Sequence, residues 1–354
     1  MTSIDTNFWR GKRVFLTGHT GFKGSWLSLW LQSMEVDVHG FSLAPQTTPS
    51  LFKVADVGSG MVSTIGDIRD FDAVYEALDK CKPDIIIHMA AQPLVRYSYG
   101  APIETYATNI MGTVHLLESA YRVGSAKAII NITTDKCYEN KEWVWGYREI
   151  DNLGGYDPYS SSKACSELVT SAYRQSFFQD RGIRVATARA GNVIGGGDWA
   201  VDRLIPDILR AFECGEPVIV RNPDAIRPWQ HVLEPLSGYL LLAQNLYKED
   251  GSYFEGAWNF GPTFDDAQSV QSIVDRMVKL WGRGASWQLD LSHNSHETAH
   301  LKLDISKTQS TLGWHPRWNL DCAIKKIIEW HSVWLAGGDV KSECLSQIDE
   351  FKNI

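Results

Sequence analysis

The chain has 354 residues, 44% hydrophobic and 21% charged, the profile of a globular protein of about two domains. Aromatic residues at 11% exclude a disordered chain, and 34 basic against 42 acidic residues give a net charge of −8, which argues against nucleic acid as the main partner. No apolar run reaches the about 18 residues of a membrane helix, the N-terminus has no signal-like apolar core, and the six cysteines show no C-x-x-C spacing; a cytoplasmic location, without membrane or metal, is the expectation.

Strand patterns fall at residues 13–17, 36–41, 61–65, 84–89, 128–133 and 184–190. The first helix is predicted after the glycines that follow residue 17, with Phe22, Trp26, Leu29, Trp30 and Ser33 on one face. Further helices are predicted near 70–80, 103–124 and 159–180. Apolar strands separated by helices imply a parallel sheet covered on both faces, a doubly wound α/β fold of Rossmann type. Ligands of such sheets bind beyond the carboxyl ends of the strands. After about residue 195 the alternation stops, and helices at 204–214, 236–247, 269–281 and 320–336 mix with short strands. The last of these, taken as the final helix, carries Ile324, Ile327, Ile328, His331 and Leu335 on one side. The division expected is a cofactor domain over 1–190 and a smaller, mixed α/β substrate lobe over 191–354, with some chain crossing back.

Gly18-His19-Thr20-Gly21-Phe22-Lys23-Gly24 joins the first strand to the first helix. The glycines permit a tight turn and close approach of a pyrophosphate to the helix N-terminus, so a dinucleotide is the preferred ligand over a plain strand–helix turn. The second strand ends in Ser42 and Leu43 rather than an acid, which leaves NAD against NADP open at that loop. Asp67, before Ile68, suits either an adenine amino group or a helix cap. Tyr159 and Lys163 form Y-x-x-x-K, one helical turn apart behind Asp157 and Pro158. A tyrosine whose pKa is lowered by a lysine and a cationic ring can take a proton from an alcohol, although the pattern alone also fits a surface pair. Thr134, Asp135 and Lys136 follow the fifth strand, where a solvated turn is the plain alternative. His296, Glu297 and His300 spell H-E-x-x-H, a zinc hydrolase pattern that requires a helix. The flanks read as a polar loop and strand entry, and that reading is preferred.

Taken together, the chain resembles the extended short-chain dehydrogenases/reductases, and among them the nucleotide-sugar 4,6-dehydratases, most of all those acting on CDP-glucose. The resemblance rests on T-G-H-T-G-F-K-G-S-W-L (17–27), H-M-A-A-Q-P-L-V-R (88–96), T-N-I-M-G-T (108–113), T-T-D-K-C-Y (133–138) and Y-S-S-S-K (159–163). It continues through R-A-G-N-V-I-G-G-G-D-W (189–199), R-P-W-Q-H-V (227–232), W-N-F-G-P (258–262) and L-G-W-H-P (312–316).

The resemblance implies a tightly held NAD, contacted by Gly18, Gly21, Phe22, Lys23, Gly24, Asp67, Ile68, Ala90, Asn109, Tyr159 and Lys163. It implies that Tyr159 deprotonates the sugar 4-hydroxyl, that Thr134 bonds the 4-oxygen and that Asp135, its pKa raised by burial, protonates the departing 6-hydroxyl. Lys136 stands where many relatives carry a glutamate base for C5. Asn192, Arg203, Arg227 and Arg96 are the candidates for the substrate's phosphates and sugar, a contact suited to the guanidinium fork. Trp199 and Trp229 either stack on the substrate or pack in the core. A homodimer or homotetramer through the helices near 103–124 and 159–180, and a supply of deoxysugars for surface polysaccharide such as lipopolysaccharide O-antigen, are implied as well. A 4-epimerase of the same fold is the nearest alternative; a regulator without chemistry would not need both Tyr159 and Lys163.

Overall fold

A computed structural model describes residues 3–282, 284–290 and 300–354. Its centre is a seven-stranded sheet. The first six strands are β1 (Arg13–Thr17), β2 (Asp37–Ser42), β3 (Val62–Ile65), β4 (Ile85–His88), β5 (Ala128–Ile132) and β6 (Arg184–Arg189). The order is β3-β2-β1-β4-β5-β6, closed by a seventh strand, Gly256–Asn259, and every pairing is parallel. The doubly wound α/β sheet is therefore as expected from sequence.

Strand alternation divides each apolar run between the two faces. Val14, Leu16, Ile85, Ile87, Ala128 and Ile130 enter one core, with Trp26, Trp30 and Leu240. Phe15, Ile86 and Ile129 enter the other, with Val74, Leu78, Leu116 and Phe178. Each such side chain, once removed from water, contributes about 1.5–3 kcal/mol.

The helix Phe22–Ser33 is buried all round from Gly24 to Leu31 rather than along one stripe, and Ser33 is exposed. It lies between the sheet and a C-terminal helix, Val340–Lys352, which the sequence reading did not find. That helix carries Val340, Cys344, Ile348 and Phe351 inward, and Phe351 meets Trp30 edge-on with ring centroids 5.8 Å apart. The helix expected to be last, Leu320–Leu335, buries Ile324, Ile327 and His331 but leaves Leu335 exposed; Trp330 is its largest buried residue. The seventh strand and the helix Leu233–Tyr247 both come from beyond residue 190 and build the main sheet and its core. The smaller lobe has its own cluster, in which Ile205, Leu209, Phe212, Val220, Ile273, Met277 and Ile324 meet.

Candidate active site

The sheet order reverses between β1 and β4, and there a cleft of about 1150 Å³ opens over the strand ends. The glycine turn forms its floor. Gly18 has φ 77°, and a Cβ there would stand 2.8 Å from the Ala90 nitrogen. A Cβ on Gly24 would stand 2.1 Å from the Gly18 carbonyl oxygen. Side chains at these positions would push β1, the helix and the β4 loop apart, so the glycines hold a cradle in which the helix's first amides face the cleft. Gly21, Phe22, Lys23, Ile68 and Ala90 line the same space.

Three expectations are narrowed along this wall. Asp67 lines the cleft but is held by the Arg69 guanidinium, whose hydrogen bonds keep its carboxyl below the ordinary carboxylate range. The cap of the next helix is Asp70, which accepts from the Ala73 amide. Asn109 does not line the cleft. Its side chain is fully engaged: Oδ1 accepts from the Gln92 amide at 2.9 Å, and Nδ2 donates to the Gln92 carbonyl and to Ser162 Oγ. It ties the β4 loop to the helix that carries Tyr159. Trp199 packs against Trp330 and Trp334, and Trp229 is buried with its indole on the Gln268 carbonyl, so core packing accounts for both although both border the cleft.

Tyr159 and Lys163 project from the helix Pro158–Tyr173, which Asp157 caps by accepting from the Ser160 amide at 2.9 Å. Lys163 donates to the Ile132 carbonyl at 3.0 Å, and burial lowers its pKa to about 8. The expected lowering of the tyrosine depends on a cationic ring beside it, and the protein's own groups act the other way. Burial pushes the Tyr159 phenol up to about 12, a rise that its contact with the Thr134 hydroxyl only partly offsets.

A short 3-10 turn, Asp135–Cys137, follows β5, with Thr134 as its cap. Thr134 Oγ1 donates to Asp135 Oδ1 at 3.0 Å and accepts from the Lys136 amide. Asp135 is fully buried, and its Oδ2 has no hydrogen-bond partner. The sequence reading overlooked Gly191, although it stands within a quoted motif. A Cβ at that position would fall 1.8 Å from Asp135 Oδ2, so only glycine leaves room for the carboxyl. Gln230 holds this turn by donating to the Gly191 and Phe260 carbonyls.

The cleft is rich in cations. Lys23, with Nζ 3.5 Å from the Tyr239 hydroxyl, is driven to a pKa of about 7 by burial and by the charges of Lys163 and Arg203. Arg203 pairs with Asp198 at 2.9 Å and Arg96 with Asp202 at 3.3 Å. Arg227, Asn192 and Lys136 line the same cleft, and Asn192 has a left-handed backbone and a buried Oδ1 without a hydrogen-bond partner. Beneath lies an ion pair. Glu167 receives bonds from Thr133, Thr187 and Arg189, and Arg189 also donates to the Tyr138 hydroxyl. Of the H-E-x-x-H residues, His296 and Glu297 lie outside the described residues. His300 sits in a parallel bridge with Ile226, an extended setting unlike the helix that a zinc site needs. Among the described residues no cluster of three metal-ligating side chains occurs.

The family model described as GDP-mannose 4,6 dehydratase matches residues 15–327. A CDP-glucose 4,6-dehydratase of Salmonella typhimurium is 60% identical over 95% of each chain. A dTDP-glucose 4,6-dehydratase of Escherichia coli is 26% identical over 90% of this chain and 92% of its own. In fold, a UDP-glucose 4-epimerase of Thermotoga maritima, solved with UDP-glucose, superposes with a TM-score of 0.80 at 21% identity, covering 91% of this chain and 99% of its own. A dTDP-glucose 4,6-dehydratase of Bacillus anthracis, solved in complex with NAD, gives 0.73 at 20% identity, covering 90% and 96%. The family match and the Salmonella relative together bear out the resemblance read from the motifs: the chain belongs to the GDP-mannose 4,6-dehydratase family of nucleotide-sugar 4,6-dehydratases.

Proposed function

We propose that the chain converts CDP-glucose into CDP-4-keto-6-deoxyglucose and water, as an NAD-dependent hydro-lyase. The observation that carries this reading is the placement of a buried acid, Asp135, next to an alcohol-oxidising pair, Tyr159 and Lys163. A 4-epimerase needs no acid for the 6-hydroxyl. The preference for cytidine rests on the 60% identity to the Salmonella enzyme.

The residues present fit NAD: the turn at Gly18–Gly24 leaves the close backbone approach that a pyrophosphate requires, and Lys23, Ile68, Ala90, Tyr159 and Lys163 line the length of one cleft. When bound, the nicotinamide supplies a two-electron acceptor at C4 and a donor at C6. Lys163 holds the nicotinamide end, its cation favouring the ionised tyrosine. Tyr159 takes the 4-hydroxyl proton, and Thr134 bonds the 4-oxygen. The 4-ketone acidifies C5, from which Lys136 removes the proton, and Asp135 protonates the 6-oxygen as it leaves. Arg96, Asn192, Arg203 and Arg227 hold the diphosphate and sugar.

The same reading includes a homodimer or homotetramer, for which exposed apolar side chains on the two helices speak, Ile103 at 85% and Leu168 at 59%. It also includes a cytoplasmic location, which suits six unpaired cysteines, and a supply of deoxysugar for surface polysaccharide. A panel of CDP-, UDP- and dTDP-glucose with NAD, read by mass spectrometry, tests it. Loss of one water from CDP-glucose is expected. An isomer of unchanged mass would make the chain an epimerase instead.

A further inference from the structure

The cleft holds an anion of its own where cations from its two walls meet. Arg96 comes from the short helix Val95–Gly100 after β4, and Arg221 follows the strand Val218–Val220 of the smaller lobe. Both reach the same oxygen, Asp202 Oδ1, at 3.3 and 3.7 Å. All three residues line the cleft. Asp67, Glu139, Asp198 and Asp207, on the same walls, take cations from two to five positions away, as local turns do. Asp202 instead bridges the walls: Arg96 stands 106 positions from it in the chain.

We infer that Arg96 and Arg221 form a clamp for the diphosphate of the nucleotide sugar, and that the Asp202 carboxylate occupies this clamp until the substrate displaces it. This rests on the function proposed above. It adds Arg221 to the substrate-binding residues and sets Asp202 against them as a competing internal anion.

The fit of the clamp to Asp202 is poor. A guanidinium carries its donors in a planar fork and holds a carboxylate or phosphate best through two parallel bonds. Here two forks converge on one oxygen, Arg96 through a single long bond and Arg221 beyond hydrogen-bond distance. A diphosphate offers each guanidinium a phosphate with its own charge and its own oxygens. Asp202 and Arg96 are each 42% exposed, and ion pairs at that exposure are weak and readily exchanged. Asp202 also has a left-handed backbone, φ 60°, a conformation uncommon for a residue with a Cβ. Little therefore keeps its carboxylate in place once a better anion takes the arginines.

Calorimetric titration of the NAD-loaded enzyme with CDP, and with cytidine as the phosphate-free control, tests this. Asparagine keeps the size of the side chain and tolerates the left-handed backbone, so Asp202→Asn is expected to fold as wild type does. It should bind CDP about 5- to 20-fold more tightly, the scale of one or two exposed ion pairs near their upper worth. The KM for CDP-glucose should fall with it. Arg221→Gln should bind CDP about 10-fold more weakly, the loss of one charge-assisted contact. Neither change should move the affinity for cytidine. In a background of Arg96→Gln and Arg221→Gln, Asp202→Asn should bring no gain, because the group it frees is gone. Unchanged or weaker CDP binding in Asp202→Asn overturns the inference. So does a gain that survives loss of both arginines, which removal of a negative charge would explain by itself, or a cytidine affinity that shifts as much as that for CDP. A wild type that binds CDP but releases no water from CDP-glucose overturns instead the reading of function and leaves the clamp to be judged on CDP; a wild type that does not bind CDP overturns both.

Discussion

Replacing Gly191 with alanine tests whether the position of Asp135 limits the reaction. The added methyl would fall 1.8 Å from Asp135 Oδ2, where a carbon atom needs 3.0 Å or more. Something must therefore move by more than 1 Å. The backbone is the stiffer party: the Gly191 carbonyl is held by Gln230, the Asn192 carbonyl by the Gln230 amide, and the Ile194 carbonyl by the Val232 amide at 2.8 Å. The Asp135 carboxyl is held only through Oδ1, by one Thr134 hydroxyl bond whose net worth is about 1 kcal/mol. The carboxyl yields first. A displacement of that size at a reacting group costs about 100-fold in rate, or roughly 2.7 kcal/mol in barrier. The assay is water loss from CDP-glucose, with NAD affinity and melting temperature measured on the same preparation. The expected result is a large fall in turnover with NAD binding unchanged, because the glycine turn lies on another wall of the cleft. Wild-type turnover in the Gly191→Ala enzyme would refute the reasoning.

Three other outcomes are expected. Tyr159→Phe should lower turnover by about 100-fold or more while the melting temperature stays near wild type, since only a hydroxyl is removed; near-normal turnover would remove the phenol from the chemistry. The wild-type rate should fall above about pH 8, where buried Lys163 gives up the proton that makes it a cation, and a profile that stays flat up to the ordinary lysine value of 10.5 would contradict this. Glu167 bears on stability. Burial alone would raise its pKa, but the Arg189 charge and the surrounding hydrogen bonds bring it below the ordinary 4.5. A depressed folded pKa means that the stabilisation is present above about 4.5 and is lost as the pH falls through the folded value. Glu167→Ala should cost about 3–5 kcal/mol at neutral pH by leaving Arg189 buried and unpaired. Melting curves against pH check both statements, and a variant with wild-type stability would contradict them.

Most of the site was legible because its parts are local. The glycine turn, the Thr134–Lys136 segment and the Tyr159–Lys163 helix each place their chemistry within a few residues of a strand end or a helix cap. The parallel strand rule then predicts that they share one edge of the sheet. What escaped was non-local. Gly191 has no chemistry of its own and acquires its role only from Asp135, 56 positions earlier in the chain. Asn109 reads both as a cofactor contact and as a support of the catalytic network from its helix; its bonds to the loop after β4 and to Ser162 favour the second, and the partners themselves were not legible. How deeply the Tyr159 phenol is buried, which helix periodicity does not express, also escaped.

The sequence by itself determined the first six strands and the helices between them, a parallel sheet covered on both faces, and the inventory of reacting groups. These follow from hydrophobic periodicity and backbone preference, which act over a few residues. Only the tertiary structure decided that the seventh strand and two helices from beyond residue 190 complete the first half, and that the helix Phe22–Ser33 is enclosed on every side. It alone buried Tyr159 and Asp135 along one cleft while leaving the far oxygen of the Asp135 carboxyl without a partner. Such relations depend on which distant segments exclude water from one another, and burial and electrostatics are set by that packing rather than by the neighbours along the chain.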